Sequence, residues 1–581
     1  MRVFVLFGFV IFCLNAEAQY PQNYFRNPLN IPISLSANFG ELRSNHWHMG
    51  LDIRTQQRVN LPVHAAAEGY IARVKIEPGG FGRAIYINHP NGYSTLYAHL
   101  NDFFPALEQY VKDQQYKQQT WAIDLPIPAN LFVVKKGTFI AYSGTTGGSQ
   151  GPHLHFEIRD TKTENCLNPL LFGLPVPDAV PPTLTRLAMY DRNESLYMQS
   201  PQLFPLMKSN SYSLTAKSNT IVSSSGKISF GLQATDRQSG SNNPNGIYLA
   251  TIYCDGTPLT SFALNDISYN DTRYINAQID YRYRKRGGAY LQHLSKLPGD
   301  NSDVYEVLQN DGIIMLNDTV LHTIKIEVKD QAANTTVLDF KVRYDSSLNK
   351  IYSDAEHDVI LIPGNMNVLE KEDFEIVVDE RGVYDTVAVD YKRNPAFVEG
   401  AVSAAHTIGS KEIPLQTNMI VRIKPLQAIA DNEKEKIVIK NINEGDVMKA
   451  TWQNGWLSAS FREFGTFRAY VDSEPPKINS LGKTDTLNLS ASKRIVFYPK
   501  DNFGISSFRA ELDGQWLRFT NDKYSAFIYE FDEKCPYGVH ELKVTVKDLV
   551  GNETVESWRF KRHPYTPPVR KAVKKKTTKK H

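Results

Sequence analysis

Short runs in which apolar and polar residues alternate dominate the first third of the chain, from about residue 32 to residue 172, and predict β-strands. Glycine and asparagine bound these runs, as expected for turns between strands. The runs include Gly69–Lys75, Arg83–Asn88, Tyr93–Leu100 and Gly137–Ser143. This part of the chain is therefore expected to be a β-sheet domain.

One segment departs from the strand pattern. Phe104, Leu107 and Val111 fall on one face of a helix. Pro105 suits the first turn of that helix, and Asp102 is expected to cap it. The sequence predicts a single helix here, either an insertion beside the site described below or a wall of its groove.

An internal repeat organises the rest of the chain. The segment His322–Asn334 matches His540–Asn552 in nearly every class of residue, and each places an alternating strand before an Asp-x-x-x-Asn turn. This pattern is typical of the last hairpin of an immunoglobulin-like sandwich. Proline-rich stretches, Pro175–Pro182 and Ser473–Pro476, mark boundaries before the two repeats.

A chain of 581 residues is too long for one hydrophobic core. We expect a mainly β protein, in which a β-sheet-rich domain precedes immunoglobulin-like β-sandwich domains. The expected divisions are a signal peptide at 1–18, the first domain at 19–174, an immunoglobulin-like domain at 175–345, a β-rich domain at 346–472, a second immunoglobulin-like domain at 473–562 and a basic tail at 563–581. The lysine-rich tail is interpreted as a disordered solubilising end rather than an attachment to anionic polymers.

The first residues predict export. Met1–Leu14 contains one basic residue followed by an apolar run too short for a permanent membrane span, and Ala16–Ala18 offers a signal-peptidase site. No other stretch has transmembrane length, so the mature protein is expected to be soluble in the periplasm or cell envelope, or secreted. Three scattered cysteines then remain, an odd number that argues against a disulfide framework and leaves room for one bridge.

The net charge of +3 lies largely in the tail, and the body of the chain is slightly acidic. No domain therefore has the basic surface that nucleic-acid binding requires.

Three histidine-bearing stretches carry the chemistry: His48–Asp52, Tyr97–Leu100 and Gly151–Ile158. They supply an H-x-x-x-D pair, a lone histidine and an H-x-H pair. Two histidines and one carboxylate would give a divalent metal three protein ligands and leave a fourth position for water.

Strand alternation orders the last stretch. His153, His155, Glu157 and Arg159 share one face of the predicted strand. One imidazole of the H-x-H pair can then bind a metal while the other reaches what the metal binds. His99 alone would be interpreted as a buried structural histidine. Of the remaining histidines of this region, His46 is interpreted as exposed or as a neighbour of the ligands, and His64 and His89 are interpreted as structural.

The order of these motifs resembles the lysostaphin-type, or LytM-type, zinc metallopeptidases that cut peptides of bacterial peptidoglycan. The similarity runs from about Ala37 to Arg159 and includes the stretches Phe39–Glu41, Val63–Tyr70 and Ser143–Gly147. The resemblance implies that His48, Asp52 and His155 bind Zn2+ and that His99 and His153 are the catalytic pair, with either one as general base.

The resemblance implies an exported zinc metalloendopeptidase that hydrolyses peptidoglycan stem peptides or cross-links. A regulatory or scaffold protein that recruits other wall hydrolases is the main alternative, with envelope proteins as partners of the C-terminal domains. Within the peptidase class, a glycine-rich peptide is a further candidate substrate. An amidohydrolase also begins with H-x-H, but it needs repeated strand and helix units that this chain lacks.

Overall fold

The computed structural model describes residues 20–209, 211–215, 219–307, 309–348, 356–524 and 526–566. The predicted signal peptide and most of the predicted basic tail lie outside these residues. The prediction of a mainly β protein is confirmed, because strands form almost all of the regular structure. Within the described ranges, no helix has both the length and the apolar character needed to cross a membrane.

The N-terminal domain is built on one large antiparallel sheet whose core lies between Tyr20 and Leu174. In spatial order its main strands are Leu35–Ala37, Leu51–Arg54, His153–Asp160, Tyr93–Ala98, Arg83–Asn88, Gly69–Ile76 and Ile123–Pro126, with Val133–Val134 and Cys166–Leu167 at its edges. A second sheet contains Pro62–His64, Phe139–Ser143 and Leu100–Phe103, and a small hairpin contains Leu42–Arg43 and His46–Trp47. The alternating runs of the sequence thus form strands.

The predicted helix is present as Pro105–Gln118, with Leu107 and Val111 buried. The prediction that Asp102 caps it is wrong. Phe104 occupies the N-cap position and makes no side-chain cap, and Asp102 lies in the preceding strand. Pro105 explains the start, since proline favours the first helical position and has no N–H to satisfy there.

The second β domain contains a twelve-stranded mixed sheet. Along the main path its strands are Gln292–His293, Lys227–Thr235, Thr183–Asp191, Gln202–Lys208, Tyr212–Leu214, Thr335–Tyr344, His322–Lys329, Leu249–Cys254, Thr257–Ala263 and Tyr305–Val307, with Thr220–Ser223 and Ile314–Met315 beside it. Short helices at Ile275–Gln278 and Tyr281–Lys285 and 3-10 turns at Thr272–Tyr274 and Asn310–Gly312 connect them. The strand Asp266–Ile267 pairs instead with Cys166–Leu167, so a sheet runs from the N-terminal domain into this one.

The third β domain has two five-stranded sheets. One contains Asn367–Glu370, Phe374–Val378, Pro414–Ile423, Trp456–Glu463 and Thr451–Gln453, and the other contains Tyr391–Asn394, Ala405–Ile408, Gly465–Val471, Ile437–Asn441 and Val447–Lys449. The pair Val359–Leu361 and Val387–Val389 lies beside them. Its core is continuous with that of the second domain.

The last β-sandwich has a separate core. Its larger sheet contains Leu487–Asn488, Glu553–Arg562, Gly538–Asp548, Ile505–Leu512 and Gln515–Trp516, and its smaller sheet pairs Arg494–Phe497 with Phe527–Glu530. The predicted repeat is confirmed, since His322–Lys329 and Gly538–Asp548 each lead through an Asp-x-x-x-Asn turn into an antiparallel partner. All three cysteines of the described residues are unpaired.

Candidate metal centre

Strand register brings the histidine stretches together. The strand His153–Asp160 lies between Leu51–Arg54 and Tyr93–Ala98 in the large sheet. His155 is directly opposite Asp52 on one side and Ala98 on the other. His99 follows Ala98, so residues about 50 positions apart in the chain meet at one end of three adjacent strands.

Gly50 allows the H-x-x-x-D segment to approach this strand. A Cβ at position 50 would lie 2.5 Å from the Phe156 carbonyl oxygen and 3.0 Å from His155 Cε1. Such separations are shorter than van der Waals contact, so a larger residue at position 50 would displace the strand that contains His155. The glycine therefore lets His48 and Asp52 reach the same point as His155.

Three atoms converge there. His48 Nε2 lies 3.0 Å from Asp52 Oδ1 and 3.1 Å from His155 Nδ1, and His155 Nδ1 lies 2.9 Å from Asp52 Oδ1. Ligands about 2.05 Å from a tetrahedral zinc ion are separated by about 3.3 Å. The triangle therefore matches a zinc coordination face to within a few tenths of an ångström.

The second nitrogen of each imidazole is engaged by an obligate acceptor. His48 Nδ1 donates to the Asn38 carbonyl at 2.8 Å, and His155 Nε2 donates to Glu157 Oε1 at 2.8 Å. Each ring carries its proton on that side. His48 Nε2, His155 Nδ1 and Asp52 Oδ1 consequently face one another, an arrangement that repels unless a proton or a metal ion lies between them.

The electrostatics of these groups are strongly coupled. Burial would raise the pKa of Asp52, but His48, His153 and His155 hold it well below its ordinary value. Burial would lower the pKa of His155, but its hydrogen bonds to Asp52 and Glu157 raise it to about 9. Asp52 is thus ionised and ready to act as a ligand.

His99 and His153 lie beside this triangle, with ring centroids 4.7 Å apart. His99 Nδ1 donates to the Thr146 carbonyl at 2.9 Å and His153 Nδ1 donates to the Gly151 carbonyl at 2.9 Å. His153 Nε2 lies 3.4 Å from Asp52 Oδ1. Burial, with repulsion from His155 and His153, lowers the pKa of His99 to about 3, so this imidazole is neutral at pH 7.

His99 also has an unusual backbone conformation. Its φ of +59° lies in the left-handed region, which costs a non-glycine residue about 1 kcal/mol or more. Its backbone N–H donates to the Phe81 carbonyl, and the Thr146 contact holds its ring. The surrounding structure thus fixes this histidine toward the triangle at a local cost.

Residues 46–116 match the sequence profile of Peptidase family M23, a segment that includes His48, Asp52 and His99. The chain carries a LytM-type M23 peptidase domain. Residues 359–472 match the profile of a Zu5-like domain, within the third β domain.

The relatives of the M23 domain include named peptidases. The DD-carboxypeptidase/endopeptidase Mpg of Neisseria meningitidis serogroup B is 35% identical over 131 residues, which cover 22% of this chain and 24% of that protein. The peptidoglycan DD-endopeptidase ShyB of Vibrio cholerae is 32% identical over 111 residues, or 19% of this chain and 20% of that protein. The chain thus spans about a quarter or less of the length of these relatives. The catalytic domain of the antimicrobial peptidase lysostaphin from Staphylococcus simulans is 22% identical and covers 24% of this chain and 91% of that domain, with a TM-score of 0.17.

The M23 domain shares its groove with the second β domain. The groove has a volume of about 1360 Å³ and contains all five predicted site residues. Phe81 and Arg43 line it from the M23 domain, whereas Tyr269 and Thr272 come from the second domain. Tyr269 donates to Glu157 Oε1 at 2.6 Å, and the same oxygen accepts from His155 Nε2. Sequence reasoning missed Tyr269, because no local motif marks it.

Trp47 provides another link between the M23 domain and the second domain. It lies between His46 and His48, is fully buried, and its Nε1 donates to Gln278 Oε1 at 2.8 Å. The neighbouring His46 side chain is exposed and contacts the Ser44 carbonyl at 3.0 Å. Alternation along this short strand thus directs Trp47 into the adjacent core and His46 to solvent.

The M23 helix does not form a groove wall among the described residues. It contacts the last β-sandwich instead. Lys112 pairs with Asp532 at 2.9 Å, and Tyr116 packs against Trp516 with ring centroids 5.2 Å apart. Of the two alternatives predicted for this segment, the groove wall is therefore wrong, and the exposed face of the helix contacts the last β-sandwich.

The last β-sandwich also reaches the loop before His153. Lys523 Nζ donates to the carbonyls of Thr145, Gly147 and Ser149 at 2.6, 2.5 and 3.1 Å. Asp522 Oδ1 accepts from the Gly147 N–H at 2.7 Å. This clamp holds the glycine-rich loop of the M23 groove from outside.

Proposed function

We propose that this chain is an exported zinc metalloendopeptidase that hydrolyses peptide bonds in peptidoglycan stem peptides or cross-links. The convergence of His48 Nε2, Asp52 Oδ1 and His155 Nδ1 carries the proposal. Two imidazole nitrogens and a carboxylate oxygen are the donor set of catalytic zinc sites that keep one position open. The activities named for the Neisseria and Vibrio relatives support the peptidoglycan substrate.

The protein residues have separable roles in this proposal. His48, Asp52 and His155 would hold the metal, with Asn38 and Glu157 fixing the two imidazole tautomers. A bound zinc ion supplies a Lewis acid that polarises the peptide carbonyl and makes water more acidic.

His99 and His153 would transfer the protons. Each has its Nδ1–H held by a backbone carbonyl, so its Nε2 can accept a proton and return it without rotation of the ring. One ring removes the proton of the attacking water, and an imidazolium delivers a proton to the leaving amine. The open groove would bind an extended peptide across both rings.

Metal content and digestion of purified sacculi test the proposal together. The full-length protein should bind about one zinc ion and release peptide fragments, and His155→Ala should lose both properties. His99→Ala should keep the zinc and lose digestion by about 10²-fold or more. His357→Ala, in the third domain, is the matched control and should keep both. Digestion by His155→Ala at the wild-type rate would refute the proposal.

The same assay separates an enzyme from a regulatory or scaffold protein. A scaffold would bind zinc and sacculi yet release no fragment, and it would stimulate digestion by an added wall hydrolase. Mass spectrometry of the released fragments would identify the bond that is cut.

Export to the cell envelope is the remaining part of the proposal. The apolar segment Met1–Leu14 with Ala16–Ala18 supports cleavage near Gln19. Cell fractionation and N-terminal sequencing of the mature protein test it. A protein that keeps Met1 and stays in the cytoplasm would contradict it.

A further inference from the structure

Two clusters of aspartates lie outside the lining of the M23 groove, at the entrances to the two repeated domains. The first aspartate cluster consists of Asp178, Asp236 and Asp330, and the second of Asp472, Asp501 and Asp548. In each cluster, one oxygen from every side chain lies within 4.8 Å of the others. Neither cluster contains a histidine or cysteine.

The two clusters occupy equivalent positions in sequence. Asp178 and Asp472 each begin an Asp-x-x-Pro-Pro linker that enters a β domain. Asp330 and Asp548 each begin the Asp-x-x-x-Asn turn of the repeat. The chain has therefore built the same three-carboxylate arrangement twice.

Their hydrogen bonds are equivalent as well. Asn552 Nδ2 donates to Asp548 Oδ2 at 2.7 Å and to the Asp472 carbonyl at 2.9 Å. In the first cluster, Asn334 Nδ2 donates to Asp330 Oδ2 at 2.7 Å and to the Asp178 carbonyl at 3.4 Å. Each asparagine thus ties a linker to a turn and leaves the carboxylates facing one another.

Buried carboxylate oxygens in both clusters have no partner. Asp236 is 3% exposed and its Oδ1 has no hydrogen bond, and Asp472 is fully buried with Oδ2 equally unpartnered. Asp501 Oδ1 is also buried without a hydrogen-bond partner. Leaving such an oxygen unpaired away from water costs more than an ordinary hydrogen bond returns. These oxygens therefore point to a missing positive partner.

The protein supplies no such partner among the described residues, where no Lys, Arg or His side chain forms an ion pair with any of the six aspartates. Burial, with repulsion from Asp330 and Asp178, raises the pKa of Asp236 to about 7. Burial and the neighbouring aspartates also raise the pKa of Asp472. Three mutually repelling carboxylates are stabilised by a cation from solution, which competes with protonation of one of them.

The donor atoms select the cation. Sets made only of oxygens bind hard cations, and irregular loops that offer several carboxylates suit the flexible coordination of Ca2+ better than the strict octahedron of Mg2+. We propose that each aspartate cluster binds one Ca2+, which fixes its Asp-x-x-Pro-Pro linker to the Asp-x-x-x-Asn turn of the following domain.

A third group, Cys254, Asp255 and His322, does not share this argument. His322 Nδ1 contacts Asp255 Oδ2 at 2.7 Å, and in the repeat His540 Nδ1 contacts Asp513 Oδ2 at the same distance. Leu512 replaces the cysteine in the second copy. The histidine–aspartate pair therefore explains this group as a turn contact.

Calorimetric titration of CaCl2 into the full-length protein in calcium-free buffer tests the proposal. Wild type should bind two Ca2+ per chain. The single variants Asp236→Asn and Asp472→Asn should each bind one, and the variant that combines both substitutions should bind none. Asp485→Asn, an exposed aspartate of the last sandwich, is the matched control and should bind two. The titration should extend to about 10 mM, beyond the weakest Kd of about 10⁻³ M for extracellular calcium modules.

The wild-type titration alone decides the matter if a variant fails to fold. No bound Ca2+ in wild type would overturn the sites, and equal affinity for MgCl2 would overturn the choice of cation. Limited proteolysis checks the role of the ion. At a free Ca2+ concentration of about ten times Kd, cleavage within residues 473–476 should slow about tenfold, because the open fraction falls by that ratio. Unchanged cleavage would refute the linker role.

Discussion

Replacing Glu157 with glutamine tests whether the metal centre depends on the residues behind its ligands. Glu157 is fully buried, accepts from His155 Nε2 at 2.8 Å and from Tyr269 at 2.6 Å, and pairs with Arg159 at 2.6 Å. Burial would raise the pKa of Glu157, but Arg159 and His155 lower it to about 2, so the native group is a carboxylate. Glutamine keeps the shape and removes the charge.

The amide must then point one of two ways. If its NH2 faces His155 Nε2, that nitrogen must accept, and the imidazole proton moves to Nδ1, the atom that would bind the metal. If its NH2 faces Arg159, the buried guanidinium loses its carboxylate. Loss of a carboxylate behind a metal-binding histidine typically weakens metal affinity by about 10- to 100-fold, or about 1.4 to 2.8 kcal/mol. Breaking the buried ion pair costs stability of about 3 kcal/mol or more.

Zinc affinity measured by competition with a chromophoric chelator should fall by that factor in Glu157→Gln, and thermal unfolding should report the loss of stability. Tyr269→Phe is the matched control, since it removes one hydrogen bond and keeps the carboxylate. Its zinc affinity should stay within about threefold of wild type. A Glu157→Gln protein that binds zinc as tightly as wild type would refute the tautomer argument.

Three further results are expected. Gly50→Ala should lose about 1 to 3 kcal/mol of unfolding free energy in urea denaturation and bind less zinc, because its Cβ meets the Phe156 carbonyl oxygen at 2.5 Å; a fully stable, zinc-loaded variant would contradict this. Lys523→Ala should reduce kcat/KM on sacculi about tenfold at unchanged zinc content, because three charged hydrogen bonds to the loop before His153 are lost; unchanged kinetics would show that the clamp does not act on the groove. Burial lowers the pKa of His89 to about 4. The neutral form of His89 therefore contributes unfolding free energy on the order of 3 kcal/mol, which is present above pH 6.5 and lost as the pH falls toward 4. Denaturation at pH 7 and pH 5 should show a smaller loss of unfolding free energy in His89→Gln than in wild type.

Local sequence predicted the strands and the strand face that carries His153, His155 and Glu157. The alternation His153, His155, Glu157 predicted one face, and the structure confirms it with His155 contacting both Asp52 and Glu157. A strand exposes alternate residues to opposite sides whatever its neighbours are, so this information is local. The repeat around Asp330 and Asp548 could be recognised in the sequence for the same reason.

The N-cap of the helix and the domain that the helix contacts could not be predicted from local sequence. Asp102 has the side chain of a good N-cap, yet pairing of Leu100–Phe103 with the strand Phe139–Ser143 retains it in a strand. Sheet pairing with a distant segment outweighed a local preference worth about 1 kcal/mol. The helix's partner, the last β-sandwich, lies some 400 residues further along the chain.

The sequence by itself determined which residue types could form a metal centre, which strands would present them, and that a β motif occurs twice. Only the tertiary structure decided that His48, Asp52 and His155 share one point, that Tyr269 and Lys523 from other domains contact the residues around it, and that three aspartates meet at each linker. The physical reason is that side-chain direction follows from backbone geometry within a few residues. Convergence depends instead on strand register and domain packing, which many weak contacts across the whole chain determine together.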